Sequence, residues 1–366
     1  MNVQIQDRSD TADDPAWLTA LFMPMLPVTG TSLSPLAQWI VIPLAALWGG
    51  MPLDSQSPSH QWKVIMRQQT KTRSLTYAAL GAAVVVLAGA VYSYTSSSKD
   101  ISIAALAGET HFHGIAVDPA DSSRIYLATH HGLYLLGPDG RGQRLANTRD
   151  DFMGFTAHPT NSSVLYASGH PANGGNLGFI KSEDGGRSWS KIANGVQGPV
   201  DFHQMDVSKA DPKVIYGVYG DLQRSTDEGR TWTLVGPAPV GLIALAASSE
   251  KPDVLYAATQ TGLQRSTDGG RSWKAESHRT TTMVHVTRDG TIYAFVVGVG
   301  VTRAAEKDLK WEIVGKGLGE DYILHFAADP ADQQRLYAVT INSRTRASNV
   351  IASRDGGATW TRLGTE

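Results

Sequence analysis

Seven of the eleven histidines in this 366-residue sequence fall between residues 111 and 203. His111, His113, His130, His131, His170 and His203 are interleaved with Asp151, Asp201 and Met153. Neutral imidazole is the commonest protein ligand for zinc, copper, iron or nickel, and carboxylates complete such shells or orient the rings. A thioether among imidazoles favours copper, above all copper(I). The ligand types converge, although no fixed-spacing metal motif is present. Two other chemistries stay open. Asp151 and Asp201 are candidates for an acid and base in hydrolysis, with the histidines binding substrate. Alternatively, the imidazoles bond to backbone around a water-filled channel or a protein ligand. Metal binding, with copper or zinc, is the preferred reading, with His111, His113, His130, His131, Met153, His170 and His203 as candidate ligands.

The elements that must position these groups come from a repeat. Ser182-Glu-Asp-Gly-Gly-Arg-Ser-Trp189 returns at 225–232, 266–273 and 353–360 as Ser-x-Asp-x-Gly-x-Ser/Thr-Trp. Asp accepts hydrogen bonds from nearby backbone N–H groups, and Gly takes positive φ, so the pattern predicts a tight turn. The Trp then opens the next strand as an apolar core anchor. The box aspartates Asp184, Asp227, Asp268 and Asp355 are therefore turn-formers. Around the boxes, Tyr126, Tyr166, Tyr216, Tyr256, Tyr293 and Tyr337 recur at spacings of 40, 50, 40, 37 and 44 residues. Each unit reads as four short strands. Two units lack the box, with Gly137-Pro-Asp-Gly140 and Glu306-Lys-Asp-Leu-Lys-Trp311 in its place. A lone unit cannot bury both faces of its sheet, whereas a closed ring does. The expected fold is an all-β, six-bladed β-propeller over 99–366, with Ile101–Ala107 and the tail completing the ring rather than building a seventh blade.

In a propeller the first strand of each unit lines the channel. Aligned on the tyrosines, the first strands begin at His111, Asp151, Asp201, Gly241, Thr281 and Tyr322, and the second strands end at His130, His170, Gly220, Gln260, Val297 and Ile341. The histidines and aspartates thus gather in units one to three on one face, with the boxes on the other. In this alignment Met153 and Met283 share the position of His113 and His203. His285 and His325 sit one position off it and read as packed or solvated, and His158 reads as a surface turn residue.

The front end is different. Residues 1–65 form a poorly defined extension that is uncharged from 15 to 53. Its apolar stretch, residues 35–48, is interrupted by Pro43, so it either associates with a membrane or lies upstream of the true start at Met66. Residues 66–98 read as a signal anchor or transmembrane helix. Lys63, Arg67, Lys71 and Arg73 precede an uncharged run over 75–98 long enough to span a bilayer. The positive-inside rule puts the following domain outside the cytoplasm, in the periplasm or the extracellular space. Ala88-Gly-Ala90 is an acceptable cleavage site, which would give a secreted form. A net charge of −2 argues against nucleic-acid partners. The absence of Cys excludes disulfides, thiolate ligands and Cys nucleophiles.

The box repeats resemble those of BNR/Asp-box proteins, a group that spans sialidases, sortilin-type receptors and photosystem assembly factors. More closely, His111-Phe-His-Gly-Ile-Ala-Val-Asp-Pro119, Ala128-Thr-His-His-Gly-Leu133, Asp151-Phe-Met-Gly-Phe155, Ser168-Gly-His-Pro171 and Asp201-Phe-His203 are similar to exported bacterial Asp-box proteins described as glycosylhydrolase-like or sialidase-like. The resemblance covers 111–366 and implies a propeller and glycoside hydrolysis. The sequence departs from true sialidases: it has no Arg-Ile-Pro motif before the boxes and no three arginines at channel-facing strand starts to clamp a carboxylate. A shared fold does not carry an activity with it. Sialidase-like hydrolysis and a protein-interaction scaffold therefore stay as alternatives, with a metal ion, a glycan or a protein as possible ligands at the channel face and the membrane as partner of the N-terminal helix.

Overall fold

The computed structural model describes residues 100–146 and 148–364. The expected extension over 1–65 and the membrane helix of 66–98 lie outside the described residues. Among the described residues no helix is long and apolar enough to cross a membrane.

The strands form six antiparallel sheets, five of four strands and one of five. Each sheet is a blade made from a contiguous piece of chain. The innermost strands are Phe112–Asp118, Asp151–Ala157, Gln204–Val207, Leu242–Ala247, Thr281–Val286 and Asp321–Ala328. Each touches the next, and the sixth touches the first, so the ring is closed and all-β apart from one short helix. This is the expected six-bladed propeller.

The repeated tyrosines explain the spacing of the blades. Each sits on a second strand, opposite Ala116, Thr156, Asp206, Ala246, His285 or Ala327 on the first. Tyr126, Tyr166, Tyr216 and Tyr256 are buried between consecutive blades. There they share clusters with residues at the start of the following blade, Phe152 and Phe155 for Tyr126 and Phe202 for Tyr166. Large side chains thus fill the seams, and mostly small ones face the channel.

The four box turns share one hydrogen-bond pattern. In the first, Ser182 Oγ donates to Asp184 Oδ1 at 2.9 Å and accepts from Gly186 N at 2.8 Å. Asp184 also accepts from the backbone of Arg187 and Ser188 and from the Ser188 hydroxyl. The second glycine of the turn has to be glycine. Gly270 has φ +93°, and a Cβ there would lie 2.1 Å from Leu222 of the preceding blade. The box Trp side chains are half-buried rather than fully core: Trp189 rests on Phe152 with ring centroids 4.9 Å apart. In the fifth blade, Glu306 takes over the docking role, accepting from the Ser249 backbone and hydroxyl of blade four.

Ring closure uses packing instead of strand exchange. Ile101–Ser102 adds a fifth strand to the outer edge of blade one. The helix Ile103–Glu109, capped by Ser102, buries Ile103 and Leu106 in a cluster with Val350 and Leu363 of blade six. Ser122 of blade one also donates to Asp329 of blade six at 2.7 Å.

Candidate functional site

The first strands of blades one, two, four, five and six carry a register irregularity near their channel-face ends. In blade one the pairing passes from Phe112↔Thr129 directly to Gly114↔Ala128. His113 is the extra residue, and a bulge re-aims such a side chain.

His113 turns toward His130, at the end of the second strand, with ring centroids 4.2 Å apart and the planes nearly perpendicular. His111, two residues earlier, reaches the same ring at 5.6 Å. Both surround Asp151 of the next blade. His130 Nδ1 lies 2.6 Å from Asp151 Oδ2, and His113 Nε2 lies 3.7 Å from Asp151 Oδ1. In the first contact Nδ1 donates to the carboxylate, the carboxylate–imidazole arrangement often found behind a metal. The second contact is too long for a hydrogen bond, and neither His113 Nε2 nor Asp151 Oδ1 has a hydrogen-bond partner although both are buried.

One ligand atom from each of His113, His130 and Asp151 lies within 4.8 Å of the others. A tetrahedral ion with bonds near 2.1 Å holds its ligands about 3.4 Å apart. The donor set of two imidazoles and a carboxylate fits zinc or copper(II).

A related arrangement stands one blade further on. His170, at the end of the second strand of blade two, lies 3.0 Å through Nε2 from Asp201 Oδ2. His203 Nε2 reaches the same oxygen at 2.8 Å. The side chain of Asp201 is 4% exposed.

Electrostatics tie the two arrangements together. Burial pushes His113 well below the usual histidine range, and the charges of His130, His325, His111 and His203 add to the shift. Burial acts on His203 in the same direction, but its hydrogen bond to Asp201 and the charges of Asp201 and Asp151 outweigh it and raise this histidine.

The channel below opens as a cavity of about 420 Å³. His113, His203, His285 and His325 line it together with Asp206, Lys209 and small residues such as Ala116 and Ala246. Asp206 is fully engaged: Lys209, Thr156 and the Ala247 backbone all donate to it, locking blades two, three and four.

The other predicted residues are placed differently. His131 is exposed, with Nδ1 against the carbonyl of His130 at 2.9 Å. Met153 is buried in its strand. Met283 does not share the position of His113: its blade is two residues shorter between the bulge and the tyrosine, and Thr282 takes that place. Met283 packs in the core with Phe295 and Phe326. His158 caps its own turn, accepting from Thr160 N and Asn161 N, as expected of a surface turn residue. His285 and His325 are the groups that sequence spacing missed. The irregularity between Ile323 and His325 carries His325 into the channel lining, where burial lowers it to about 4 against the opposing effect of a hydrogen bond to the Phe112 backbone.

Comparison with known proteins finds similarity to a xyloglucanase and to several solved structures. No family model matches the chain. A xyloglucanase of Paenibacillus sp. is 25% identical over 294 residues, an alignment covering 68% of this chain and 26% of the relative. The chain thus spans about a quarter of the length of the curated relative it matches. Among solved structures, the GH74 xyloglucanase from Xanthomonas campestris is 21% identical with a TM-score of 0.48, covering 72% of this chain and 46% of that one. YCF48 from Cyanidioschyzon merolae is 16% identical with a TM-score of 0.42, covering 70% and 87%.

Proposed function

We propose that this protein binds a transition metal ion, copper or zinc, through His113, His130 and Asp151 at the channel face of an exported, membrane-anchored propeller. The observation that carries the reading is the buried pair His113 Nε2 and Asp151 Oδ1, which face each other at 3.7 Å without hydrogen-bond partners. An ion satisfies both at once, and the His130–Asp151 hydrogen bond orients the third donor. His111 and His131 form the exposed rim through which an ion reaches the site. Export rests on the basic flank and uncharged run of 63–98. Nucleic acid is not proposed as a partner.

The test is metal content by mass spectrometry on the full chain after copper, zinc and iron loading. A His113→Ala/His130→Ala double variant is expected to hold one ion fewer than the wild type while keeping its near-UV circular dichroism. An unchanged content in the folded double variant would sink the reading.

The likeness to a xyloglucanase favours a second reading, glycoside hydrolysis with Asp151 and Asp201 as acid and base. The geometry gives it less support: both carboxylates are buried and held by imidazoles rather than facing open solvent. Reducing-end release from xyloglucan or a sialoside, abolished by Asp151→Asn, would establish it. Retention of a glycan or a protein at this face, without metal and without turnover, would leave a binding scaffold.

A further inference from the structure

We propose that the central channel is itself a ligand site, for an uncharged, elongated organic molecule that packs on its alanine wall and hydrogen-bonds to His285. The proposal goes beyond the metal reading and does not rest on it. The cavity of about 420 Å³ reaches from His113 and His203 on the channel face to Pro119, Pro159 and Pro330, in the turns that follow the first strands of blades one, two and six. The strand Phe112–Asp118 makes that wall roughly 20 Å long. Small-molecule pockets hold about 300–1,000 Å³, so the volume suits a single ligand and the length an extended one.

One level of the channel decides the chemistry. Ala116, Thr156, Asp206, Ala246, His285 and Ala327 stand there, each opposite a repeated tyrosine, and all six line the cavity. The three alanines leave the width open. Asp206 is saturated by Lys209, by Thr156 and by the backbone N–H groups of Val207 and Ala247, and Lys209 matches its charge. At the far mouth Arg288 stands beside Asp289, and Arg335 faces Asp329. A charged ligand would lose its hydration here without meeting an unmatched opposite charge, whereas an uncharged one avoids that cost. His285 differs from its neighbours on this level. Among the described residues its ring packs on Phe326, with centroids 5.4 Å apart, and makes no hydrogen bond. A neutral imidazole offers one N–H donor and one acceptor in either tautomer, so a ligand hydroxyl or carbonyl finds a partner whichever nitrogen holds the proton. Burial and the charge of Lys209 lower His285 to about 4, which keeps the ring uncharged in neutral solution.

Prodan, an uncharged naphthalene ketone whose emission moves to the blue in apolar surroundings, is titrated into the chelator-treated full chain. Saturable one-to-one binding with a blue shift is expected. Ala116→Leu narrows the channel at the level of His285 and is expected to abolish the binding, and Ala157→Leu repeats the test from the next blade. His285→Phe keeps a ring and removes the N–H, and is expected to weaken binding about three- to tenfold. Near-UV circular dichroism establishes that each variant is folded. No saturable binding in the wild type, or binding unchanged in both folded alanine variants, would overturn the proposal and leave a water-filled channel. Unchanged affinity in His285→Phe would overturn the contact assigned to His285. The protein is metal-free throughout, so this outcome is separate from the metal content at His113, His130 and Asp151, and either reading can fail alone.

Discussion

At the scale of single residues, the channel histidines set the acid behaviour of the fold. Burial lowers His285 to about 4, with the positive charge of Lys209 adding to it, and lowers His325 to about the same value. In the unfolded chain both return to 6.5. The unfolded chain therefore takes up protons first as pH falls. The stability these rings contribute is complete above 6.5 and is lost as pH drops through about 4, on the order of 1–3 kcal/mol for each. His203 has the opposite sign: its folded value is raised, so its contribution is present below 6.5 and lost as pH rises through the folded value. In chelator-treated protein, His325→Gln should flatten the fall of Tm between pH 6.5 and 4 relative to the wild type. A parallel fall in both would show that His325 is not a source of the acid lability.

At the scale of the element, the box turn couples local geometry to blade packing. Gly270→Ala puts a Cβ 2.1 Å from Leu222 and forces a residue with a side chain to φ +93°. It should destabilise the protein by about 2–4 kcal/mol, seen as a lower denaturant midpoint. Gly317→Ala, with nothing within 4 Å, should stay near the wild type in the same experiment. The turns also carry an acid signature. Hydrogen bonds from Ser188, Ser272 and Thr359 hold Asp184, Asp268 and Asp355 at about 2, below their ordinary 3.8. Their contribution is present above 3.8 and lost as pH falls through about 2, so Asp268→Asn should lose the part of the acid transition in that window. These turns were legible in the sequence because Ser, Asp, Gly and Trp each perform a local task at a fixed offset. The bulges were not legible. A bulge inserts a residue without changing composition, and blade five also has a shorter turn between its first two strands, so the alignment placed Met283 where Thr282 stands and left His285 and His325 outside the channel lining. His130–Asp151 and His170–Asp201 were recoverable as neighbours because strand ends and strand starts meet on one face in any propeller.

At the scale of the whole molecule, the number of blades and the face bearing the chemistry followed from repeat count and strand direction. The segments that close the ring, Ile101–Ala107 and the tail, were legible too, but their form, a short helix packed into the seam, was not. Leu106, 1% exposed, is the apolar plug of the seam between blades one and six. Leu106→Ala should cost about 2–5 kcal/mol in chemical denaturation. It should leave cobalt binding at His113, His130 and Asp151 intact below the transition, since these groups sit at the junction of blades one and two. Coupled loss of binding and of seam stability at low denaturant would show instead that the ring holds the site in shape.

The same contiguity of the blades gives the protein a direction in time. His113, His130, Asp151, His170, Asp201 and His203 all belong to the first three blades, and each blade is finished before the next begins. A nascent chain emerging N-terminus first therefore has its full set of paired imidazoles and carboxylates when only half the ring exists. At that stage the channel wall is still missing on one side, and these imidazoles and carboxylates are open to the surrounding solution. Synthesis of blades four to six then walls these groups in, so their easiest access from solution precedes the completion of the fold.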